Sequence, residues 1–401
     1  MKFKLLTLLG IRPDYIRMYK LIKLLDGYKD NFEHLLVHSG QHYDPELFGN
    51  FLKEFDIRQP DIDLGIGLTL KERGVSNHAY QTALLGERVY DLIEKVKPSA
   101  VMYLGDTNTV LSSITVARCG VPVIHLEAGG RSFDWRMPEE KNRVVIDHLS
   151  DALYSYLPRY KDILVSEGID DFRVKVIGNI IMDAVNDYEV KADASKILEE
   201  LGVKEKQFIL VTLHREENIS VKEILENKLS DILRFAKEEK LPVVFPVMPR
   251  TAAMIEKYEL GYLLNDSQFI KNKPLGFFDF LKAEKTARLI VSDSGTVQEE
   301  ALIMGTPCVI ARRSTERPET IWAGATILEG FEGKETLYNK MREAYNMKTD
   351  WDRNILNPEG GSPSERAYQD FILKVQSNYF ETSRSFETLK NKKFIRRTYN
   401  L

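Results

Sequence analysis

Short apolar runs alternate with amphipathic stretches along most of this chain. Phe3–Leu9, His34–His38, Ala100–Leu104, Val121–Glu127 and Ala152–Tyr156 read as strands, bounded by polar or turn residues. Between them, Ile16–Leu25 and Val75–Lys95 space their apolar residues at helical intervals. A second series begins near Gln207, with Phe208–Leu213, Val243–Pro246, Ala287–Ser292 and Pro307–Ile310, again separated by helical patterns. This alternation predicts an α/β fold of two doubly wound, Rossmann-like domains, each a parallel sheet built by right-handed crossovers. The polar, Lys/Glu-rich stretch Asp183–Val203 reads as the connection between them. Apart from the shared layout of the two halves, no internal repeat is visible. Doubly wound sheets take ligands at the carboxyl ends of their strands, so a cleft between the domains and the loops after the strands are the places to search.

Composition narrows the class. At 401 residues the chain exceeds one ordinary core and suits two domains of roughly 150–200 residues each. With 43% hydrophobic and 29% charged residues it reads as a globular protein. The 56 basic and 60 acidic side chains leave a net charge of −4, which excludes a protein that coats nucleic acid. Cys119 and Cys308 lie in apolar or small-residue settings and read as reduced thiols. The N-terminal MKFKLLTLLG is a core strand rather than a signal peptide, and no window approaches the roughly 18 apolar residues of a membrane span. A cytoplasmic protein without membrane association is expected. The polar tail Asn378–Leu401, with Lys390, Lys392, Lys393, Arg396 and Arg397, reads as solvated or as an oligomer contact, and a homodimer is the expected assembly.

Candidate chemistry clusters after the strands. Gly10-Ile11-Arg12-Pro13-Asp14 presents Arg12 for a phosphate, the alternative being an Arg12–Asp14 pair that closes the loop. Gly105-Asp106-Thr107 places a carboxylate at the next strand end, or else a helix cap. Glu127, in His125-Leu126-Glu127-Ala128-Gly129-Gly130-Arg131, ends a buried strand, where packing does not explain a charge. Glu139 and Glu140 open a helix; one of them suits its N-terminus, yet three converging acidic positions point to acid/base work. In the second half, His214 and Arg215 suit a diphosphate, with capping by Glu216 and Glu217 as the plainer use of that loop. Ser294, Gly295 and Thr296 leave free amides at a helix start, a ready anion site, and Glu300 lies one turn further in, where it suits ribose hydroxyls. Thr315-Glu316-Arg317-Pro318-Glu319 adds a charged loop. No Gly-x-Gly-x-x-Gly follows the first strand and no His/Cys cluster has metal-ligand spacing, so neither a cofactor nor a metal is expected.

In order, Gly10-Ile-Arg-Pro-Asp, Ser39-Gly-Gln-His-Tyr-Asp, Gly105-Asp-Thr, His125-Leu-Glu-Ala-Gly, Pro138-Glu-Glu-Lys-Asn-Arg, His214-Arg-Glu-Glu-Asn, Ser292-Asp-Ser-Gly-Thr-Val-Gln-Glu-Glu and Thr315-Glu-Arg-Pro-Glu resemble the UDP-N-acetylglucosamine 2-epimerase family over about residues 3–330. The resemblance implies the glycosyltransferase-B architecture. Its domains would be residues 1–182, carrying the catalytic carboxylates, and 204–362, binding UDP. Residues 363–401 would hold a helix, Ser364–Tyr379, crossing back to the first domain, and a polar tail. It further implies that Arg12 and His214 contact the diphosphate, that His214 joins Asp106, Glu127 and Glu139 in catalysis, and that Ser294, Gly295, Thr296 and Glu300 hold UDP, with Leu275 and Phe280 at the uridine. The sequence departs from the family in four places. Arg17 stands where the family has a lysine and is implied to meet the UDP-sugar in its place with the same charge and a different reach. Thr296 stands where it has a glycine, Met248 where it often has a histidine, and Tyr43-Asp44 where enzymes acting on plain UDP-N-acetylglucosamine have Arg-Glu. With Phe133-Asp134-Trp135-Arg136, the last departure resembles the branch acting on UDP-2,3-diacetamido-uronates or UDP-2-acetamido-dideoxy sugars.

The implied reaction is elimination of UDP to a glycal and its re-addition after the C2 proton returns to the opposite face. Three other readings stay open: a hydrolysing relative that releases UDP and free sugar, a glycosyltransferase of the same architecture, and a non-catalytic nucleotide-sugar binder.

Overall fold

The computed structural model describes residues 2–40, 49, 52–75, 77–330 and 337–382. Gln41–Asp44, which carried part of the substrate expectation, and nearly all of the basic tail lie outside the described residues. The chain divides into two compact units, Met1–Ala184 with Glu359–Leu401, and Val185–Pro358.

In the first unit, seven strands stand in the order β3-β2-β1-β4-β5-β6-β7: β1 (Phe3–Leu9), β2 (Phe32–His38), β3 (Ile62–Asp63), β4 (Ala100–Leu104), β5 (Val123–Leu126), β6 (Ala152–Ser155) and β7 (Val174–Val176). Every pairing is parallel. Leu6 lies opposite Leu35 on one side and Val101 on the other. Helices cover both faces, so Leu5, Leu6, Leu8 and Leu9 are all buried, and β1 is apolar apart from Lys4 near its start and the buried Thr7. Winding proceeds from β1 out to β3, then resumes at β4 on the other side. That reversal opens a crevice at the carboxyl ends of β1 and β4.

The second unit repeats the plan with β8 (Ile209–Thr212), β9 (Val243–Pro246), β10 (Phe269–Asn272), β11 (Leu289–Ser292), β12 (Cys308–Ile310) and β13 (Thr326–Leu328). Their order is β10-β9-β8-β11-β12-β13, again parallel, and the reversal falls between β8 and β11. Around β8, Ile209 and Val211 enter one buried cluster and Phe208 and Leu210 the other.

Four strands were not anticipated: β3, β7, β10 and β13. All are the edges of their sheets. An edge strand is short and half-solvated, so it lacks the apolar run that marks an inner one, as Asp63 and Lys271, both exposed, illustrate. The stretch Val75–Lys95 begins its helix later, at His78, because the Asn77 side-chain Oδ1 caps it, accepting from the Ala79 and Tyr80 amides at 2.8 and 3.2 Å. Residues 185–203 belong to the second unit rather than to a free connection. Lys285 pairs with Glu189 and Asp193, each at 2.8 Å, and Tyr188 meets the Phe278 ring at 5.4 Å.

The last long helix, Pro363–Gln376, docks on the first unit. The Ser364 amide donates to Asp183 at 2.8 Å, Arg366 donates to the Ile177 carbonyl at 2.7 Å, and Phe371 wedges against Phe3 and Phe32 at 6.1 and 6.0 Å. Among the described residues no helix is long and apolar enough to cross a membrane. Phe371→Ala should cost about 3–5 kcal/mol of stability, read as a lowered urea midpoint. Leu373→Ala, on the exposed side of the same helix, should leave the midpoint within about 0.5 kcal/mol of the parent.

Candidate active site

Gly10 and Ile11 carry β1 into the helix Arg12–Gly27. Both amides donate to Asp14, at 3.0 and 3.1 Å, and the other Asp14 oxygen accepts from Arg17 at 3.0 Å. Burial pushes the Asp14 carboxyl above its usual range against the pull of Arg17 and these amides. The pair that closes this loop is therefore Asp14–Arg17. Arg12 is exposed, with no ion pair among the described residues.

Arg17 reaches on to Glu127, which also accepts from the Tyr156 hydroxyl at 3.3 Å. Glu127 lies just past β5 at φ +69°, a backbone conformation uncommon for a residue with a side chain, and is 5% exposed. Held backbone of this kind gathers at functional sites. Gly105, the turn after β4, lets the guanidinium pass: a Cβ there would stand 3.2 Å from an Arg17 nitrogen. Arg17, only 7% exposed, thus spends its charge on two carboxylates.

Asp106 follows Gly105 and is partly exposed. Its carboxylate meets Arg143, whose other nitrogen holds Glu140 at 2.6 Å. Glu140 in turn accepts from the Ser132 and Phe133 amides, both at 2.9 Å, and so builds the loop. Neither Asp106 nor Thr107 caps the short turn that follows. Glu139, at the start of the helix Pro138–Leu149, is half-buried and has no partner among the described residues.

Beneath these loops lies His125, fully buried. One ring nitrogen faces Asp147 at 2.7 Å and the other the Gly105 carbonyl at 2.8 Å. Both contacts are to oxygen acceptors, so a proton on either ring nitrogen has a partner. Asp147 also pairs with Arg131 at 2.7 Å and accepts from the Gly129 amide at 3.2 Å. Burial alone would raise the Asp147 carboxyl, but His125 and then Arg131 hold it below its usual range.

In the second unit the matching crevice is organised by Asp293, fully buried after β11. It accepts from the amides of His214 and Arg215 and from the Asn218 side chain, each at 2.9 Å, and its other oxygen is 3.1 Å from the His214 ring. Asp293, not Glu216 or Glu217, ties this loop, and the His214 side chain stays 40% exposed. Ser294 precedes the helix Gly295–Met304. Gly295 is packed so closely that a Cβ would lie 2.7 Å from a Glu316 oxygen. Leu275 and Phe280, half-buried, line the adjoining core, Ser294 and Thr296 are half-exposed, and Glu300 is 4% exposed. Among the described residues no group of His, Cys, Asp and Glu is disposed to hold a metal ion. Of the residues that hold these groups, Asp14 entered the sequence reading only as a partner for Arg12, and Arg143, Asp147, Tyr156 and Asp293 were not singled out as partners. Arg143 and Asp293 sit inside recognised motifs, whereas Tyr156 and Asp147 gave no signal.

Two doubly wound sheets, each with charged loops at its winding reversal, define the glycosyltransferase-B class of fold. The chain belongs to the UDP-N-acetylglucosamine 2-epimerase family, whose model matches residues 27–360. It is 34% identical to the UDP-N-acetylglucosamine 2-epimerase of Methanococcus maripaludis over 92% of this chain and 98% of that one. It is 33% identical to the UDP-2,3-diacetamido-2,3-dideoxy-D-glucuronate 2-epimerase of Pseudomonas aeruginosa over 82% and 88%. The crystal structure of Methanocaldococcus jannaschii UDP-GlcNAc 2-epimerase in complex with UDP-GlcNAc and UDP superposes with a TM-score of 0.84 at 34% identity, covering 92% of this chain and all of that one.

Asp147→Asn tests the buried cluster. A carboxyl held low contributes stability that is whole above 3.8 and fades as pH falls below it. The parent should therefore lose stability steeply on acidification below about pH 4, and the variant should start lower at pH 7 but fall less, as read by denaturant titration at each pH.

Proposed function

We propose that this chain inverts C2 of a UDP-linked 2-acetamido sugar by eliminating UDP to a glycal and adding it back. The observation that carries the reading is the set of three carboxylates, Asp106, Glu127 and Glu139, placed by the carboxyl ends of β4 and β5 and the helix that follows. A transferase needs one base for its acceptor; a centre inverted through a planar intermediate needs acidic groups on two faces. Membership of the 2-epimerase family supports the same reading.

The C2 hydrogen has no neighbouring carbonyl to acidify it, so its removal is coupled to departure of UDP from C1. A carboxylate takes the proton as the C1–O bond breaks, and the electron pair of the C2–H bond becomes the C1–C2 double bond. A second carboxyl then delivers a proton to the opposite face of C2 while a phosphate oxygen rejoins C1. Asp106 and Glu139, the two with exposed surface, are assigned this proton traffic. Glu127, buried against Arg17 and Tyr156, fixes the loop and the charge beside them. Departing phosphate is stabilised by cations and free amides. Arg12, His214 and the amides at Ser294–Thr296 are assigned to it, and Glu300 to the ribose. Arg17, spent on two carboxylates, is left out of the phosphate set.

The substrate is proposed to carry an N-acetylated C2 and further substituents, on the strength of Phe133-Asp134-Trp135-Arg136. Identities of 34% to the plain-sugar enzyme and 33% to the diacetamido-uronate enzyme do not separate the two. A cytoplasmic homodimer remains the proposed setting.

Incubated in D₂O with a panel of UDP-sugars, the protein should place deuterium at C2 of one of them without free UDP accumulating. Accumulating UDP and free sugar would make it a hydrolase, and transfer to an added acceptor with C2 protium retained would make it a transferase. Asp106→Asn should lower the exchange rate by about 10²–10⁴ while UDP affinity by calorimetry changes little; unchanged exchange would remove Asp106 from the mechanism.

A further inference from the structure

The helix Phe277–Thr286 buries an acid that the proposed reaction does not use. Glu284 is fully buried, and neither of its carboxyl oxygens has a hydrogen-bond donor among the described residues. Facing it from the helix Gly295–Met304 is Glu300, close enough to hydrogen-bond once either carboxyl holds a proton. From β12 the buried Cys308 thiol lies within its electrostatic reach. Lys206, from the segment before β8, spends its ammonium on the carbonyls of Lys285 and Ala287 at 2.7 and 3.1 Å. Ala283, on the same helix, and Ala287, just past its end, pack with Ala301, Phe208 and Ile310 in one apolar cluster.

Two ionised carboxylates cannot share such a place, because burial penalises each charge and each repels the other. Burial, then Glu300, keep Glu284 protonated well above the usual carboxylate range. An acid held neutral by an apolar site is a hydrogen-bond donor.

We propose that Glu284 is a positioning residue for nucleotide binding: a neutral carboxylic acid that donates to the Glu300 carboxylate and aims it at the two ribose hydroxyls of UDP. The proposal rests on the reading that Glu300 receives the ribose. Glu300 then accepts on every side: from Glu284 at its back and from the nucleoside in front. The two acids titrate as a pair that carries one proton. Loss of that proton at alkaline pH sets a second charge beside Glu300, which weakens UDP binding. It also weakens the fold. The native protein keeps a proton that the unfolded chain releases near 4.5, so this pair's contribution to stability declines as pH rises above that value.

The test uses the full chain with UDP and 2′-deoxy-UDP, measured by calorimetry from pH 6 to 9. The parent should prefer UDP, with affinity falling at the alkaline end. Glu284→Gln keeps the donor and cannot ionise, so it should bind UDP within about twofold of the parent at pH 7 and lose the alkaline fall. Glu284→Leu fills the space without a donor; it should bind UDP about tenfold more weakly, and its preference over 2′-deoxy-UDP should shrink. Infrared difference spectra of Glu284→Gln against the parent at pH 7.5 should show loss of a neutral carboxylic-acid carbonyl band. Absence of that band in the parent, or a Glu284→Leu variant that binds and discriminates like the parent, would overturn the proposal. Glu300→Gln separates the two layers: unchanged discrimination there removes the ribose assignment, and the positioning role with it, even if the acid band persists.

Discussion

An ionised carboxylate withdrawn from water costs several kcal/mol unless something answers its charge. The strand ends of this chain carry such groups one after another, and each is answered differently. Asp14 receives two backbone amides and Arg17; Glu127 receives Arg17 and a tyrosine hydroxyl; Asp147 receives His125 and Arg131. Asp293 is satisfied by two amides and an asparagine. Glu284 is answered by a proton. These pairings tie loops that the sheet only brings near one another. Arg17 joins the start of the first helix to the loop after β5, crossing the turn after β4 where glycine leaves room.

The same constraint explains why arginine stands at position 17. A lysine carries a point charge on a flexible stem, whereas the planar guanidinium offers several donors at set angles and can serve two carboxylates at once. Arg17 is used in that way, bound by Asp14 one turn back and by Glu127 across the crevice. A substitution that looks conservative by charge therefore changes what the position can do. It becomes a strut between two acids, with exposed Arg12 beside it at the same strand end.

How much could be read in advance follows from where each residue sits. Inner strands such as β1, β4, β8 and β11 were legible because both of their faces are covered, which writes a mostly apolar run into the sequence. The loops that follow them break that run with charge, so Arg12, Asp106, Glu127, His214 and Ser294 stood out as candidates. Edge strands were missed because half of each faces water. The partners were missed for a different reason: Asp147 and Tyr156 are ordinary residues of a helix and a strand end, and only the turn of the sheet brings them under His125 and Glu127. Glu284 was invisible. In Phe277-Phe-Asp-Phe-Leu-Lys-Ala-Glu-Lys-Thr it reads as one more charge on a solvated helix face, yet that face packs against the helix carrying Glu300.

The proposed elimination and re-addition would place unusual demands on such a framework. Ordinary hydrolysis needs one attack and can let its leaving group go. Here UDP must leave C1, remain bound, and return before water reaches the glycal, so the nucleotide has to be held as firmly when free as when esterified. Rigid amides and a buried carboxylate suit that task, because neither contact depends on the C1–O bond. The proton carriers need the opposite character. They must gain and lose a proton within one turnover, which a carboxylate locked between a guanidinium and a phenol does poorly and a partly exposed one does readily. The contrast between Glu127, paired with Arg17 and Tyr156 beneath the crevice, and Glu139, which has no partner among the described residues, is the kind of division the proposed chemistry calls for.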